Sequence, residues 1–271
     1  MPELPEVETT LRGILPHLKQ QSISKVVVRH RQLRWPIPAD LPQVLPNNRI
    51  ENIERRAKYL LLKTNSGTLI IHLGMSGHLR LLDSEVPPKK HDHVDIVFHN
   101  KKTLRFNDPR RFGAILWTEE DPHQHALLKN LGVEALATNF TGKYLFSRTK
   151  GKKIAIKSFL MDNKIVTGIG NIYATESLFA SGIHPAAPAH SISVERLNNL
   201  VKSSKHILRL AIKRGGTTLK DFMKSDGKPG YFSNQLKAYG RAGQPCIHCN
   251  SILQAMLIGQ RNTVYCKHCQ S

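Results

Sequence analysis

The sequence predicts an α+β fold in which an N-terminal β-sandwich with one helix is followed by a helical domain and a small cysteine hairpin. Three observations predict it: short, partly alternating apolar segments before about position 122, helical spacing after it, and four cysteines confined to the last 26 residues. A chain of 271 residues is long enough for two domains and an accessory module. We expect the sandwich at 2–131, the helical domain at 132–225, a mobile loop and linker at 226–244, and the hairpin, hereafter the cysteine finger, at 245–271.

The spacing of apolar residues predicts where the individual helices and strands lie. Val7, Leu11, Ile14 and Leu15 have helical spacing, with Pro16 near the end of that helix. Strands are expected at 24–28, 53–63, 67–73, 78–82, 94–99, 104–107 and 113–118. Helices are expected at 123–130, 155–162, 171–180 and 194–214, with the interdomain connection inside 132–153.

The charge of the chain is uneven. Forty Lys and Arg against twenty Asp and Glu give a net charge of +20. Residues 1–142 hold 20 of the basic and 15 of the acidic residues, which leaves 20 basic and 5 acidic residues for 143–271. A balance of +15 on the second part is typical of a protein that binds a polyanion, most economically nucleic acid.

An anionic membrane is the alternative polyanion. The sequence shows no basic amphipathic helix with an aromatic face, and its apolar runs are too short to span a bilayer. The acidic N-terminus has no apolar signal segment, and no cysteine precedes position 246. We therefore expect a cytoplasmic protein that does not bind membranes.

The cysteine finger is the strongest purely physical signal. Two C-x2-C pairs separated by sixteen residues match a closed, tetrahedral site for one structural Zn²⁺, with ligands Cys246, Cys249, Cys266 and Cys269. A redox pair is the alternative, but it does not explain the second pair. Because so short a module buries little core, metal binding must supply its folding free energy, on the order of 10 kcal/mol. Arg261 lies between the pairs at an expected hairpin tip, where it is either solvated or contacts a phosphate.

The first residues contain a candidate nucleophile. Removal of Met1 leaves Pro2 with a secondary amine whose pKa is near ~8, against ~10.4 for a lysine side chain. An amine of this kind that attacks a sugar C1′ or an aldehyde forms a cationic iminium, which favours elimination. Glu3 follows directly and is placed to transfer protons. The alternative is that Pro2 and Glu3 simply open a helix.

Two turns offer apolar side chains beside arginine. The arginine turn, residues 108–113, reads Asp-Pro-Arg-Arg-Phe-Gly and presents Arg110 and Phe112 at its tip. The methionine turn, residues 74–77, presents Met75 between glycines. Phe112 is either a core anchor or a wedge that enters a base stack, and Met75 is either a core filler or its companion.

Other basic and polar groups are candidate contacts to phosphate. Gly168-Ile169-Gly170-Asn171 precedes a helix, where backbone N–H groups bind anions, although a packing turn fits equally well. In the basic tract 150–157, Lys152 and Lys157 are expected to contact phosphate or lesion. Lys58 lies on a basic strand, and its spacing alone does not decide its role.

An alternating His91-Asp92-His93-x-Asp95 pattern places both histidines and Asp95 on one face of a strand. A second metal site is one interpretation of this pattern, and a histidine that contacts DNA is the other.

In their order along the chain, these motifs resemble the bacterial formamidopyrimidine-DNA glycosylase family. The similarity covers MPELPEVE, the Lys58 strand, GMSG, DPRRFG, the GIGN helix and the cysteine finger, and so nearly the whole chain. It implies a monomeric, bifunctional base-excision repair enzyme that acts on double-stranded DNA. Such an enzyme removes oxidised purines (8-oxoguanine and formamidopyrimidines) through a Schiff base at Pro2 and then nicks the abasic site by β,δ-elimination.

The resemblance also implies roles for single residues. Glu3 protonates the sugar, Lys58 donates a proton in β-elimination, and Arg261 donates one in δ-elimination. DNA contacts are implied for Met75, His91, Arg110, Phe112, Lys152, Lys157 and Asn171. The helix that begins near Asn171 belongs to a helix-two-turns-helix unit, and the loop 224–231 closes the lesion pocket.

Three alternatives remain from sequence. An endonuclease VIII-like glycosylase for oxidised pyrimidines has the same fold but lacks the set of Met75, Arg110 and Phe112. A non-catalytic zinc-ribbon protein that binds nucleic acid explains the charge and the cysteines, but gives Pro2 no function. A metal-dependent nuclease would use the histidines of the 91–95 pattern.

Overall fold

The computed structural model describes residues 2–83, 86–216 and 235–271. Two compact units divide the chain: a first unit of Met1–Lys129 with Arg214–Ser233, and a second unit of Asn130–Lys213 with Asn234–Ser271. The expected pocket loop at 224–231 lies outside the described residues, as do residues 226–234 of the expected linker. Within the described chain, no helix combines the length and apolar character needed to cross a membrane.

The described part of the first unit is a β-sandwich. Two four-stranded antiparallel sheets, ordered β1-β6-β7-β5 and β2-β3-β4-β8, share one apolar core, to which α1 contributes Val7, Ile14 and Leu18. The elements are α1 (Leu4–Leu18), β1 (Ile23–Val28), α2 (Leu41–Val44), β2 (Ile50–Arg56), β3 (Tyr59–Thr64), β4 (Thr68–His72), β5 (His78–Asp83), β6 (Asp92–Phe98), β7 (Lys102–Asn107) and β8 (Ala114–Thr118).

One sequence expectation for this unit is confirmed and another is wrong in detail. Helix α1 ends at Leu18, so Pro16 lies near its end as expected, exposed within the last turn. The expected strand 53–63 is two strands, since Ala57 and Lys58 form a tight turn between β2 and β3. Ala57 takes a left-handed φ of +55° there, and the Arg55 guanidinium donates to the Ala57 carbonyl at 2.9 Å.

The second unit is mainly helical. Its elements are β9 (Val133–Glu134), α3 (Gly142–Thr149), α4 (Ile156–Leu160), β10 (Val166–Thr167), α5 (Asn171–Ala180), α6 (Val194–Lys213), β11 (Gln254–Ile258) and β12 (Arg261–Tyr265). Helix α5 is buried over almost its whole length, and α6 packs Leu197, Leu200 and Leu208 inward. Strands β9 and β10 form a short parallel pair, and β11 and β12 an antiparallel hairpin.

The helix expected at 123–130 is absent, and the expected connection at 132–153 contains one instead. A 3-10 turn covers Pro122–Gln124, and the backbone leaves helical geometry at His125, whose Nδ1 accepts from the Leu127 amide. Such side-chain hydrogen bonds compete with helix formation. Helix α3 begins after Thr141, whose hydroxyl accepts from the Tyr144 amide at 3.1 Å as an N-cap.

The cysteine finger does not rely on its own apolar residues alone. Leu253 and Val264 pack with Phe179 of α5 and with Ala238. The end of the chain is also bound to the loop after α5, because Gln270 Nε2 donates to the Ile183 carbonyl at 2.8 Å and the His184 amide donates to the Ser271 carbonyl. The finger is thus anchored to the helical part of the same unit.

Candidate functional site

The N-terminal residues lie at the positive end of a helix. Helix α1 begins at Leu4, so Pro2 and Glu3 directly precede its first turn, and both are buried. Glu3 forms a capping box with Glu6, in which the Glu3 amide donates to Glu6 Oε2 at 2.9 Å. The Glu3 side chain is only 2% exposed. A capping carboxylate is ordinarily open to water, so a cap alone does not explain this burial.

Lys58 lies in the turn between β2 and β3 and is 8% exposed. Arg55, at the end of β2, holds this turn against α1, because its Nε donates to Glu8 Oε2 at 2.9 Å. The expectation that Lys58 lies on a strand is therefore wrong, and its burial excludes a fully solvated lysine. The structure places a buried ammonium group on a hairpin tied to the helix that Glu3 begins.

His72, which the sequence analysis did not single out, lies beside Lys58. Burial, followed by the positive charges of Lys58 and Arg34, lowers the pKa of His72 to about 4. Its Nδ1 accepts from the Gly74 amide at 3.1 Å, and its ring centroid is 4.7 Å from that of Tyr59. A neutral imidazole whose Nδ1 accepts has its proton on Nε2, so His72 is an uncharged donor within the electrostatic reach of two cations.

The methionine and arginine turns meet. The exposed fractions of Met75 and Phe112, 38% and 43%, exclude the interpretation of these residues as core filler and core anchor. The Arg110 guanidinium lies 5.0 Å from the Phe112 ring centroid. Gly74, with φ +66°, packs so closely that an added Cβ would be 2.4 Å from the Phe112 carbonyl carbon. The structure therefore brings Met75, Arg110 and Phe112 together at adjacent turns.

The histidine pattern is not the alternating face that the sequence suggested. His91 precedes β6 in a left-handed conformation (φ +69°), whereas His93 lies on the strand and donates from Nε2 to the Asp108 carbonyl at 2.8 Å. Asp95 is paired with Arg105 and Arg29 at 2.7 and 2.5 Å. Although burial raises it, these two arginines hold the pKa of Asp95 below its usual value. Such a carboxylate is occupied, which argues against a metal-dependent nuclease.

In the second unit, Lys157 and Asn171 connect α4 and α5 to the cysteine finger. Gly170 is the N-cap of α5, and Asn171 is the first residue of the helix. Asn171 Oδ1 accepts from Lys157 Nζ at 2.6 Å, while Asn171 Nδ2 donates to the Asn262 carbonyl at 3.2 Å. Lys157 is 1% exposed and also donates to Thr263 Oγ1 at 2.7 Å. Its ammonium group is therefore directed into the protein, unlike the exposed contact expected from sequence.

Lys152 and Arg261 are exposed, as a contact to a polyanion requires. The Lys152 backbone is fixed, since its carbonyl accepts from the amide of His190 at 3.1 Å. Arg261 opens β12 after two left-handed residues at the hairpin tip, Gly259 and Gln260. It lines a cleft of about 210 Å³ together with Lys157 and Met161 of the α4 region.

The four cysteines fit a metal ion. Their Sγ atoms all lie within 4.8 Å of one another, the only such group of potential ligands in the described chain. The Cys246–Cys269 and Cys249–Cys266 sulfur pairs are 3.9 and 3.5 Å apart. Four thiolates ~2.3 Å from a tetrahedral Zn²⁺ are separated by about 3.8 Å, whereas sulfurs in a disulfide are about 2 Å apart. The residues therefore fit one structural Zn²⁺.

Comparison with known families divides the chain into three matched regions. Residues 1–115 match the formamidopyrimidine-DNA glycosylase N-terminal domain, and residues 131–223 match the formamidopyrimidine-DNA glycosylase H2TH domain. Residues 243–271 match the zinc finger found in FPG and IleRS.

Curated relatives and solved structures agree with this assignment. Proteins named formamidopyrimidine-DNA glycosylase from Stutzerimonas stutzeri (strain A1501) and Xylella fastidiosa (strain 9a5c) are 56% and 55% identical over 270 and 271 residues, with both chains fully covered. The MutM (Fpg) protein of Thermus thermophilus is similar with a TM-score of 0.89 and 34% identity, covering 99% of this chain and 98% of the other. Lactococcus lactis Fpg bound to DNA containing N7-benzyl-Fapy-dG gives a TM-score of 0.92 at 30% identity, covering 100% of each chain. The same enzyme with DNA containing an abasic site gives 0.91 at 30%, covering 99% of each.

Proposed function

Because this chain belongs to the formamidopyrimidine-DNA glycosylase family, we propose that it excises oxidised purines from double-stranded DNA and cleaves the strand at the resulting abasic site. The observation that carries the proposal is the burial of Glu3 immediately after Pro2, at the positive end of α1. Solved relatives bound to a formamidopyrimidine derivative and to an abasic site support the same substrate class.

The chemistry follows from the two N-terminal residues. The Pro2 nitrogen, as a secondary amine, attacks C1′, and the bond from C1′ to the base breaks. Glu3 gives a proton to the ring oxygen, which opens the sugar and leaves a C1′ iminium on Pro2. Loss of the C2′ proton then expels the 3′ phosphate, and a second elimination expels the 5′ phosphate. We assign proton donation in these two eliminations to Lys58 and Arg261.

DNA binding rests on groups carried by each unit. We propose that Met75, Arg110 and Phe112 enter the base stack when the damaged nucleotide leaves it, while His91, Lys152 and Asn171 contact the backbone. Lys157 acts through Asn171, whose amide it orients. The Zn²⁺ bound by the cysteine finger supplies folding free energy and takes no part in bond breaking. The enzyme acts as a monomer in the cytoplasm, with domains at 2–131, 132–225 and 245–271.

Borohydride trapping tests the nucleophile. The processed chain is incubated with duplex containing 8-oxoguanine and reduced with borohydride. We expect a covalent adduct on the N-terminal peptide, because reduction converts the C1′ iminium into a stable amine that keeps Pro2 bonded to the sugar. The matched control keeps one extra residue before Pro2. That chain has an amide instead of an amine, and it should lose both trapping and nicking while it retains DNA affinity. An adduct on Lys58, or full activity with Pro2 blocked, would refute the mechanism.

Glu3→Gln separates the two steps. The variant should fail to release the base yet still cleave a pre-formed abasic site, in which no glycosidic bond remains to be broken. Binding without any nicking, by every form of the chain, would instead support a non-catalytic nucleic-acid-binding protein. A duplex with an oxidised pyrimidine serves as the comparison substrate, and faster excision from it would favour the endonuclease VIII-like alternative.

A further inference from the structure

Asp108 connects the methionine turn to the arginine turn. Its side chain is fully buried. Its Oδ1 accepts from the Ser76 hydroxyl at 2.8 Å and from the Arg110 amide at 3.3 Å, and its Oδ2 accepts from the Gly113 amide at 2.8 Å. One carboxylate thus binds donors from both turns.

The backbone of Asp108 extends this network. Its amide donates to the His91 carbonyl at 3.1 Å, and its carbonyl accepts from the Arg111 amide and from His93 Nε2. The loop that presents His91 is therefore fixed to the same residue. The close approach of Gly74 to the Phe112 carbonyl carbon adds a steric contact between the two turns.

We propose that Asp108 is a positioning residue that joins the two turns into one rigid element, so that Met75, Arg110 and Phe112 enter DNA together. This inference rests on the proposed function. Exposed side chains on independent loops must each be ordered when they enter a base stack, and that entropy opposes insertion. Charge-assisted hydrogen bonds to one buried carboxylate order both turns in advance.

The test compares two substrates under single-turnover conditions. The first is duplex with 8-oxoguanine, where the damaged nucleotide leaves a paired stack. The second is a single strand with a pre-formed abasic site, where no opposing strand exists and the wedge has no task. Asp108→Ala should slow excision from the duplex by about tenfold or more and leave cleavage of the single strand within about twofold.

Asn48→Ala is the matched control. Asn48 is also buried in the first unit and hydrogen-bonds Thr64 and Ser66, so its loss destabilises the fold without touching either turn. It should leave both rates within about twofold of the unmodified chain at a temperature where all variants are folded. Equal slowing of both substrates by Asp108→Ala would reduce Asp108 to a general structural role and overturn the proposal.

A double-mutant cycle tests the route of action. In a background that carries Met75→Ala, Arg110→Ala and Phe112→Ala, Asp108→Ala should change the duplex rate by less than about twofold, because all three side chains that it positions are gone. A full tenfold effect in that background would overturn the proposal. If Asp108→Ala does not fold, Ser76→Ala removes the two hydrogen bonds that the Ser76 hydroxyl makes to the arginine turn, to Asp108 Oδ1 and from the Arg110 amide. It should give the same substrate difference at smaller size. Failure of the unmodified chain on both substrates would refute the proposed function itself.

Discussion

Replacing Lys157 by methionine tests how the second unit holds its polyanion-binding groups together. Lys157 is 1% exposed, and methionine has a similar length, so the substitution leaves little cavity. What it removes is a set of hydrogen bonds from one ammonium group to Asn171 Oδ1 at 2.6 Å and Thr263 Oγ1 at 2.7 Å, with a longer one to the Asn262 carbonyl at 3.4 Å.

The expected loss of stability follows from these contacts. A hydrogen bond to a charged group contributes about 1.5–3 kcal/mol, so the two short bonds give a gross loss of about 3–6 kcal/mol. Part of this is offset because the ammonium no longer has to be buried. Thr263 also keeps a second hydrogen bond, from its hydroxyl to the Arg261 carbonyl. A net decrease of about 2–3 kcal/mol in the free energy of unfolding is therefore expected.

Urea unfolding measures the loss of stability, and DNA binding at several salt concentrations measures any loss of phosphate contacts. The control is Lys205→Met, because Lys205 is in the same unit and donates to the Ala137 carbonyl at 2.7 Å. Lys205 has one such hydrogen bond, which is partly exposed to water, and its ammonium lies 5.8 Å from the Phe140 ring centroid. Its replacement should therefore cost less than that of Lys157, about 1 kcal/mol. A Lys157→Met chain as stable as the unmodified one would refute the reasoning. The variant could also bind DNA more weakly, with a slope of log affinity against log salt concentration that is smaller by about one. Lys157 would then be the direct phosphate contact expected from sequence.

Three further outcomes are expected. Cys249→Ser should lose Zn²⁺ and DNA affinity while the first unit stays folded, and one retained zinc per chain with full affinity would contradict the assignment. Phe112→Ala should impair capture of damaged duplex more than binding of undamaged duplex, because Phe112 is exposed and leaves no cavity; equal losses would contradict a wedge. His72 has a pKa of about 4 against 6.5 for a free histidine, so its stabilising contribution is complete above pH 6.5 and is lost as the pH falls towards 4. Between pH 6.5 and pH 4, the unmodified chain should therefore lose about 3 kcal/mol more unfolding free energy than His72→Gln does. Urea unfolding at each pH measures this difference.

Elements with strong periodicity were predictable from the sequence. Helix α6 differs from its expected bounds by one residue, because its apolar spacing continues without interruption. Helix α5 has the expected bounds although it is buried over almost its whole length, and the glycines on either side of it, Gly170 and Gly182, mark its ends. The cysteine spacing likewise predicts a cluster that the structure forms. In these cases the residues that form the local sequence pattern are also the residues that pack or cluster in the folded protein.

Turns inside apolar runs were not predictable. The run 53–63 has no turn residue, yet Ala57 takes a left-handed φ because Arg55 binds the Ala57 carbonyl and, through Glu8, helix α1. That partner lies 47 residues away in sequence. The burial of Lys157 is a similar case, since its acceptor Thr263 is 106 residues away. A window of local sequence contains neither partner, so it predicts neither the turn at Ala57 nor the burial of Lys157.

Glu3 shows why local and functional interpretations need not exclude each other. As a helix cap it stabilises α1, and Glu6 completes the capping box. A glutamine would accept the same backbone hydrogen bond, so capping alone requires no charge at this position. Glu3 is nevertheless 2% exposed and directly follows Pro2 in the chain. The proposed opening of the sugar ring requires a proton donor at this place. In the proposed mechanism, the helix terminus that fixes the fold therefore also holds the proton donor next to Pro2, so that the capping role and the proposed catalytic role use the same residue.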